Sequence, residues 1–313
     1  MSSTSRINFF IVGAAKGGTT TVFERLNNRS DVYLSPLKEP NFYSDDIDIS
    51  KFSTEFRTNT RLDLSDYFNQ SPLPVRQIGF VRSAEEYSQL FDLAPSEAEL
   101  IGECSTSYLW SKSAPANIAK AHPKARILIM LRDPISRLYS HYMMARKYGF
   151  TSLPLIEAVQ NDMNHQQKGW GSSELFVELG MYSDQIDRYK VHFPESQIKL
   201  MLSSDLRNPN CWSELTSWLG LSKDNAPRDT KDKTQDANTA GLPRFESLNR
   251  ILTKGGLKQK LGNLIPSFFK IPLVHWYYDS SNLPKMTEEE RSFLKEIYSE
   301  ELKALKSKHG ISF

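Results

Sequence analysis

The chain has 313 residues, of which 39% are hydrophobic and 24% are charged, and its formal net charge is +2 at pH 7. This length allows one large hydrophobic core, and the balanced charge argues against a general nucleic-acid binder, which would carry a basic stripe. Two cysteines, Cys104 and Cys211, are too few for a disulfide framework and are both expected to be buried, and neither they nor the six histidines have a metal-ligand spacing.

The first predicted elements are a strand over Ile7–Val12, a turn over Gly13–Gly18 and a helix that Thr19 would cap. A glycine turn that leads into a helix presents backbone N–H groups and the positive end of the helix dipole to an anion, and Lys16 adds a charge there. The ATP-type loop G-x-x-x-x-G-K-[ST] has its lysine directly before a hydroxyl residue. Here the lysine comes earlier, and the residues that follow it are Gly17, Gly18, Thr19 and Thr20. The turn is therefore predicted to bind a phosphate or a similar anion.

The same N-terminal stretch has some features of a signal peptide, because Arg6 precedes the apolar run INFFIVGAA. Cleavage after Ala15 would separate the predicted strand from the anion-binding turn. No apolar stretch of the sequence approaches the length that spans a bilayer. We therefore interpret residues 7–12 as a strand and expect a cytoplasmic protein.

A short apolar run at Val32–Leu34 is followed by Lys38 and Glu39. A carboxylate can accept a hydroxyl proton if a cavity raises its pKa, so Glu39 is a candidate general base. Taken alone, the pair would be interpreted as a solvated loop. The polar stretch Ile47–Pro74 is poorly periodic and is expected to cover the site as an insertion.

Two more apolar runs, Leu100–Glu103 and Arg126–Leu131, each end in polar residues. Arg132 follows the second run, Asp133 is placed to cap a helix, and Pro134 suits its first position.

In that helix Ser136 and Ser140 lie one turn apart on the same face. Arg132 as a bidentate fork and Ser140 as a neutral donor would together hold one phosphate. The alternative is an ordinary amphipathic helix in which Arg137 and His141 are solvated.

Together these segments resemble sulfotransferases that use 3'-phosphoadenosine-5'-phosphosulfate (PAPS). The order lysine, Gly-Gly, Thr-Thr is similar to their 5'-phosphosulfate loop, and RDPISRLYSHY is similar to their 3'-phosphate motif R-D-P-x-x-R-x-x-S-x-Y. The segment GECSTSYL resembles their G-E-x-S-x-x-Y-L. KEPNFY is closest to the heparan-sulfate and bacterial glycan-type branch, in which the segment usually reads K-E-x-H-F-F-D. Asn41 and Ser44 depart from that pattern, at positions where a histidine and an aspartate are usual.

The resemblance implies transfer of a sulfuryl group from PAPS to an acceptor hydroxyl without a metal, and it favours a carbohydrate as the acceptor. Glu39 would be the base, and Lys16 and Lys38 would steady the leaving group and the sulfuryl oxygens. The donor-binding residues would be Lys16, Gly17, Gly18, Thr19, Thr20, Arg132, Ser140 and Arg244. Animal relatives that act on glycans carry a membrane anchor, so this chain suits a bacterial or otherwise cytosolic enzyme.

The predicted fold is α/β, one domain over residues 1–313 with a central parallel sheet flanked by helices. Its strands are Ile7–Val12, Val32–Leu34, Leu100–Glu103, Arg126–Leu131 and Ile198–Leu202. Ligands of such sheets bind beyond the carboxyl ends of the strands, where the turn, Ser105–Thr106 and Arg132 all lie. Two alternatives stay open at this stage: a P-loop kinase of small molecules, and a non-catalytic nucleotide-binding protein of the same fold.

Overall fold

A computed structural model describes residues 3–60, 62–222, 241–255, 277–279 and 283–313. Its centre is a five-stranded parallel sheet with the strand order β2-β5-β1-β6-β7. The strands are β1 (Phe9–Gly13), β2 (Val32–Leu34), β5 (Leu100–Cys104), β6 (Arg126–Leu131) and β7 (Ile198–Leu202). All five predicted strands are confirmed, with β1 starting two residues later and β1 and β5 each ending one residue later than predicted.

Alternate residues of the central strands enter the cores on the two faces of the sheet, as the period of a strand requires. Phe10 and Val12 of β1 face one core, and Phe9 and Ile11 face the other. The first core is completed by α4 (Ala84–Gln89), α5 (Ser107–Trp110), α6 (Ala114–Ala121) and α9 (Tyr182–His192), and the second by α1 (Thr19–Asn27) and α10 (Pro209–Trp218). Helices therefore cover both faces, as predicted.

A third core surrounds α7 (Pro134–Tyr148), the helix that follows β6. It packs against α8 (Leu155–Met163) and α12 (Glu288–Ile297), while α13 (Ser299–His309) packs against α9. α12 and α13 are two separate helices rather than one continuous helix, and the break between them lies at Tyr298. The Tyr298 hydroxyl donates to the carbonyl groups of Phe176 and Val177, a tertiary contact that the local sequence does not encode.

The predicted insertion at residues 47–74 contains two short helices, α2 (Thr54–Asn59) and α3 (Ser65–Phe68). It leads into β4 (Arg76–Gln77), which pairs in parallel with β3 (Leu37–Lys38). This pairing fixes the backbone just before Glu39. Near the C-terminus, β8 (Leu242–Pro243) pairs antiparallel with β9 (Tyr278–Asp279). The helix α11 (Glu246–Lys254) follows β8 in the chain.

Among the helices described, none combines the length and the apolar character that crossing a bilayer needs. Most of the polar stretch at residues 222–241 lies outside the described residues. Cys104 and Cys211 are free and buried, as expected.

Candidate active site

The glycine turn lies between β1 and α1 at the carboxyl edge of the sheet. The Gly17 N–H donates to the Ala14 carbonyl (2.9 Å), and the Ala14 N–H donates to the Met130 carbonyl of β6 (2.6 Å). A β-carbon on Gly17 would lie 2.6 Å from the Met130 oxygen, so only glycine fits there. Gly18 caps α1 with φ +94°, in the left-handed region that favours glycine. The predicted cap at Thr19 is therefore wrong by one residue.

The first turn of α1 leaves backbone N–H groups without an intrahelical acceptor, which is the basis of anion binding at helix N-termini. The two threonines of this turn differ in access. Thr19 is buried and its hydroxyl lies against the Cys104 thiol, whereas Thr20 is partly exposed. Thr20 is consequently the better placed of the two hydroxyl donors.

Lys16 projects from the turn with φ +66°, and its Nζ lies 3.7 Å from the Met144 sulfur on α7. Burial lowers the pKa of Lys16, and repulsion from Arg132 and Lys147 lowers it further, while Glu39 opposes the shift. In the described part of the chain, no carboxylate lies within ion-pair distance of Lys16. The turn therefore carries positive charge that is poorly compensated by the protein.

Arg132 and Asp133 follow β6, as the sequence predicts. The Asp133 carboxylate caps α7 by accepting from the Ser136 N–H (2.9 Å) and hydroxyl (2.6 Å), and Pro134 is the first helical residue. Arg132 and Ser140 are partly exposed, and their side chains form no hydrogen bond with any described residue. Burial lowers the pKa of Arg132. Both side chains remain available to a phosphate.

Glu39 lies at the end of β3 beside β5. Its carboxylate contacts the Lys38 Nζ (3.3 Å) through one oxygen and accepts from the Thr106 hydroxyl (3.0 Å) through the other. The side chains of Lys38 and Glu39 are only 8% and 15% exposed, so the interpretation as a solvated loop pair is wrong. Sequence reasoning placed Thr106 at the correct edge of the sheet but did not identify it as a partner of Glu39.

The backbone of Glu39 is held in the left-handed region, at φ +65°. Its N–H donates to the Cys104 carbonyl (2.8 Å), and its carbonyl accepts from the Gly79 N–H (2.9 Å). Asn41 completes the turn, with φ +53° and a side chain that donates to the carbonyls of Glu39 and Gly79 (both 2.7 Å). Non-glycine residues with positive φ persist where surrounding structure over-determines them, often at functional sites.

Beneath this turn lies Glu103, a fully buried carboxyl group. It accepts from the hydroxyls of Tyr87 (2.7 Å), Tyr108 (2.8 Å) and Ser105 (2.7 Å). Burial raises the pKa of Glu103 to about 7, although the three hydrogen bonds oppose the shift. Ser105 also accepts from the Asn41 N–H (3.1 Å), so Glu103 supports the Glu39 turn from below.

Arg137 and His141 of α7 are buried, so the interpretation of both as solvated is wrong. Arg137 is fully buried, donates to the Phe176 carbonyl and lies 3.4 Å from the His141 Nδ1. Burial, Arg137 and Lys16 together keep the pKa of His141 well below its usual value. The other ring nitrogen, Nε2, lies 3.6 Å from Glu174, a residue that sequence reasoning did not identify.

Arg244 lies between β8 and α11, and its N–H donates to the Tyr277 carbonyl (2.9 Å). The paired side chains of Arg146 and Glu246 (2.6 and 2.9 Å) hold α11 against α7. The place of Arg244 in the 3'-phosphate site stays a prediction. Within the described ranges, no group of three or more His, Cys, Asp or Glu side chains is placed to hold a metal ion.

Comparison with known proteins defines the class of this site. Residues 8–177, just over half of the chain, match the model of the sulfotransferase family. The chain therefore belongs to the sulfotransferase family, and the alternative of a P-loop kinase is not favoured.

Two relatives place the similarity among glycan enzymes. Human carbohydrate sulfotransferase 15 is 31% identical over 157 residues, which are 44% of this chain and 27% of that protein. The bifunctional heparan sulfate N-deacetylase/N-sulfotransferase 1 of Caenorhabditis briggsae is 26% identical over 151 residues, 45% of this chain and 17% of that protein. The chain thus matches about a quarter or less of the length of these relatives.

The fold as a whole is similar to that of a sulfotransferase from Alicyclobacillus acidocaldarius. The two structures superpose with a TM-score of 0.64 at 23% identity, over 98% of this chain and 97% of the other. The sheet and its flanking helices are therefore those of a sulfotransferase.

Proposed function

We propose that this protein transfers the sulfuryl group of PAPS to a hydroxyl group of an acceptor, most simply a carbohydrate. The observation that carries the proposal is the poorly compensated positive charge at the glycine turn. Lys16 is repelled by Arg132 and Lys147 and attracted by Glu39, so the cations face one region bordered by one carboxylate. Such a field favours a polyanionic ligand with a reacting centre next to the carboxylate.

The donor would be held at both phosphate ends. Lys16, Gly17, Gly18, Thr19 and Thr20 would bind the 5'-phosphosulfate through an ammonium group, a helix N-terminus and hydroxyls. Arg132 and Ser140 would bind the 3'-phosphate, with Arg244 as a further candidate. Support for the second group comes from Arg132, which precedes α7, and Ser140 of α7, because the side chains of both form no hydrogen bond with any described residue.

The chemistry would be an in-line displacement at sulfur. The acceptor oxygen forms a bond to sulfur as the bond between sulfur and the 5'-phosphate oxygen breaks, and adenosine 3',5'-bisphosphate leaves. Glu39 takes the hydroxyl proton, while Lys16 neutralises charge that develops on the leaving phosphate and Lys38 steadies the sulfuryl oxygens. Thr106 orients the Glu39 carboxylate through its 3.0 Å hydrogen bond.

We also propose that the protein acts in the cytoplasm. The position of residues 9–13 supports this location, because they form the central strand of the sheet. If these residues were removed as part of a signal peptide, the sheet would lose its central strand.

The binding step is tested by thermal unfolding with nucleotides, since a ligand stabilises the state that it binds. Adenosine 3',5'-bisphosphate without metal should raise the melting temperature more than ATP with Mg²⁺. The opposite order would refute the donor assignment. Binding without any transfer from PAPS, over a broad set of sugars and alcohols, would instead indicate a non-catalytic nucleotide-binding protein.

The chemical step is tested with Glu39→Gln, which keeps the shape of the side chain and removes its ability to accept a proton. The rate should fall by about 10²–10⁴ while the affinity for adenosine 3',5'-bisphosphate stays close to that of the wild type. A variant that keeps most of its activity would move the base to another residue.

A further inference from the structure

Glu103 of β5 is a buried carboxyl group that has no role in the mechanism above. It is 0% exposed, and its oxygens accept three hydroxyl groups, from Tyr87 and Tyr108 at Oε1 and from Ser105 at Oε2. These donors come from three parts of the fold, namely α4, α5 and the loop that joins β5 to α5. Burial of a carboxylate is costly unless several donors satisfy it, so the other contacts of these donors indicate what Glu103 does.

Two of the three hydroxyls also hold the backbone just beyond the proposed base. The Ser105 hydroxyl accepts from the Asn41 N–H (3.1 Å), and the Tyr108 hydroxyl accepts from the Tyr43 N–H (3.2 Å). Because each of these oxygens accepts a backbone N–H, its own proton is donated to Glu103. Glu103 therefore orients both hydroxyls toward the backbone that they hold.

The third donor reaches the same segment through its ring. The Tyr87 ring stacks on the Phe42 ring, with 4.2 Å between centroids and 10° between planes. The three groups that Glu103 holds thus contact residues 41–43 one after another. Since a single residue separates this segment from Glu39, a shift of residues 41–43 would displace the base.

We propose that Glu103 is a positioning residue of the transfer reaction, whose ionised form holds residues 41–43 and so keeps Glu39 in place. The three hydroxyls need a partner that only accepts, and a carboxylate accepts at both oxygens. A protonated carboxyl group brings a proton of its own, so one of the hydroxyls would lose its place. Glu103 is fully buried and acts through Glu39 rather than on a substrate. The inference rests on the proposed function, in which Glu39 is the base.

The inference is tested by single-turnover transfer from labelled PAPS at pH 8. The acceptor is fully desulfated heparin or, if this is not sulfated, the best acceptor in the set of sugars and alcohols used above. Glu103→Gln should lower the rate at saturating substrates about 10- to 100-fold, because a displacement of about 1 Å in a positioned group has an effect of this size. Its affinity for adenosine 3',5'-bisphosphate, measured by calorimetry, should stay close to that of the wild type. A folded variant with the wild-type rate would overturn the inference.

A double-mutant cycle separates positioning of Glu39 from a general loss of structure. In the Glu39→Gln background, Glu103→Gln should change the residual rate less than about threefold, because the group that it positions is already disabled. An equal loss in both backgrounds would overturn the route through Glu39.

Asp31→Asn is the matched control for removal of a buried carboxylate. Asp31 is 4% exposed, accepts two hydrogen bonds from Arg29 (2.8 and 2.6 Å) and precedes β2, at the opposite edge of the sheet from Glu39. The folded Asp31→Asn protein should transfer at the wild-type rate. A loss as large as that of Glu103→Gln would show that any buried carboxylate has this effect, and would overturn the inference.

Two tyrosines provide a comparison within the site itself. Tyr87→Phe and Tyr108→Phe each remove one hydroxyl from Oε1 of Glu103, at similar distances (2.7 and 2.8 Å). Tyr87→Phe keeps the ring that stacks on Phe42, whereas Tyr108→Phe loses the acceptor of the Tyr43 N–H. Tyr108→Phe should therefore slow transfer about 3- to 10-fold more than Tyr87→Phe. Equal slowing would contradict the proposed route through the backbone.

The pH profile reports the charge on Glu103. Burial raises the pKa of Glu103 to about 7, the three hydroxyls oppose this shift, and the charge of Glu39 adds to it. The other titratable groups that face it have pKa values raised by burial and stay neutral near pH 7; they are Tyr43, Tyr87, Cys104, Tyr108 and Tyr189. The rate should fall as the pH drops through about 7, and Glu103→Gln should lack this limb. The same limb in the variant would overturn the role of the ionised form.

Hydrogen exchange measures residues 41–43 without an acceptor. Exchange of the amide hydrogens in a peptide that spans these residues should be about 10-fold faster or more in Glu103→Gln and unchanged in Asp31→Asn. Unchanged exchange in Glu103→Gln would overturn the inference. If the wild type transfers from PAPS to no acceptor, the proposed function fails and the role of Glu103 fails with it. Wild-type transfer with an undiminished rate in Glu103→Gln would count against Glu103 alone.

Discussion

Replacement of Asn41 by alanine should both destabilise the protein and disable Glu39. The Asn41 side chain is 1% exposed and makes three short hydrogen bonds, to the carbonyls of Glu39 and Gly79 (2.7 Å each) and from the Ser107 hydroxyl (2.5 Å). Each net hydrogen bond contributes about 1 kcal/mol, and a buried partner left unpaired costs about 1–3 kcal/mol. An alanine at φ +53° adds about 1 kcal/mol. We expect a loss of about 3–5 kcal/mol in the free energy of unfolding.

The effect on the reaction follows from the position of Asn41, because its side chain fixes the backbone carbonyl of Glu39, the residue that would accept the proton. A displacement of about 1 Å in a positioned group can reduce a rate about 10²-fold. Single-turnover transfer from labelled PAPS measures this step, and urea denaturation measures stability. The affinity for adenosine 3',5'-bisphosphate in the folded variant should change little, since the donor groups lie on other elements.

Asn41→Gly provides the matched control. It removes the same three hydrogen bonds but relieves the strain of positive φ, so it should be about 1 kcal/mol more stable than Asn41→Ala and equally slow in transfer. An Asn41→Ala protein within about 1 kcal/mol of the wild type, with an unchanged rate, would refute the argument that this amide holds the turn.

The remaining predictions concern the donor site and pH. Lys16→Ala should lower the rate of transfer about 10²–10³-fold while Lys16→Arg keeps some donor binding, and near wild-type transfer by the alanine variant would contradict the assignment. Arg132→Ala and Ser140→Ala should weaken binding of a 3'-phosphorylated nucleotide and hardly affect one that lacks this phosphate; calorimetry that shows equal losses would assign both residues to the fold. Burial raises the pKa of Glu174 to about 8, so between about pH 4.5 and pH 8 the folded chain retains a proton that the unfolded chain has released. The contribution of Glu174 to the free energy of unfolding therefore falls as the pH rises through this range. The free energy of unfolding of Glu174→Gln minus that of the wild type should therefore increase by about 1–3 kcal/mol from pH 4.5 to 8, a range that is discounted for the partial exposure of Glu174. Urea denaturation at a series of pH values measures this difference, and a difference that does not change with pH would exclude the raised pKa of Glu174.

The central sheet was predictable because its strands are short apolar runs that end directly in turn or polar residues. Arg126–Leu131 was placed without error, since burial on both faces of β6 leaves a nearly continuous apolar signal. Ile198–Leu202 was also placed without error, although this edge strand is only partly buried. The start of β1 was less well defined. Asn8 precedes it and bonds to the backbone of β5 through its side chain, a contact with residues more than 90 positions away.

The positions of the proposed donor-site residues in the fold were predictable because these residues follow strands whose carboxyl ends meet at one edge. The surroundings of Glu39 were not predictable, because they depend on contacts between residues that are distant in the sequence. The pairing of β3 with β4 joins segments about 40 residues apart, and Thr106, the N-cap of α5, is 67 positions away from Glu39 in the sequence. The burial of Arg137 depends likewise on Phe176, which lies outside its helix.

The two departures from the sulfotransferase pattern at KEPNFY are explained together by their mutual contacts. Ser44 donates to the Asn41 carbonyl (3.0 Å), and its hydroxyl lies 3.1 Å from that of Ser107, which donates to the Asn41 side chain. Asn41 and Ser44 therefore belong to one buried hydrogen-bond network, and a single change at either position would leave buried groups unpaired. The network reaches charged and titratable groups as well, since Arg82 donates to the carbonyls of Asn41 (2.8 Å) and Ser44 (3.3 Å) and Ser105 links the Asn41 N–H to the Glu103 carboxyl group. The chain thus has two uncharged side chains at positions where the pattern usually has a histidine and an aspartate, and the contacts that these side chains share hold the Glu39 turn.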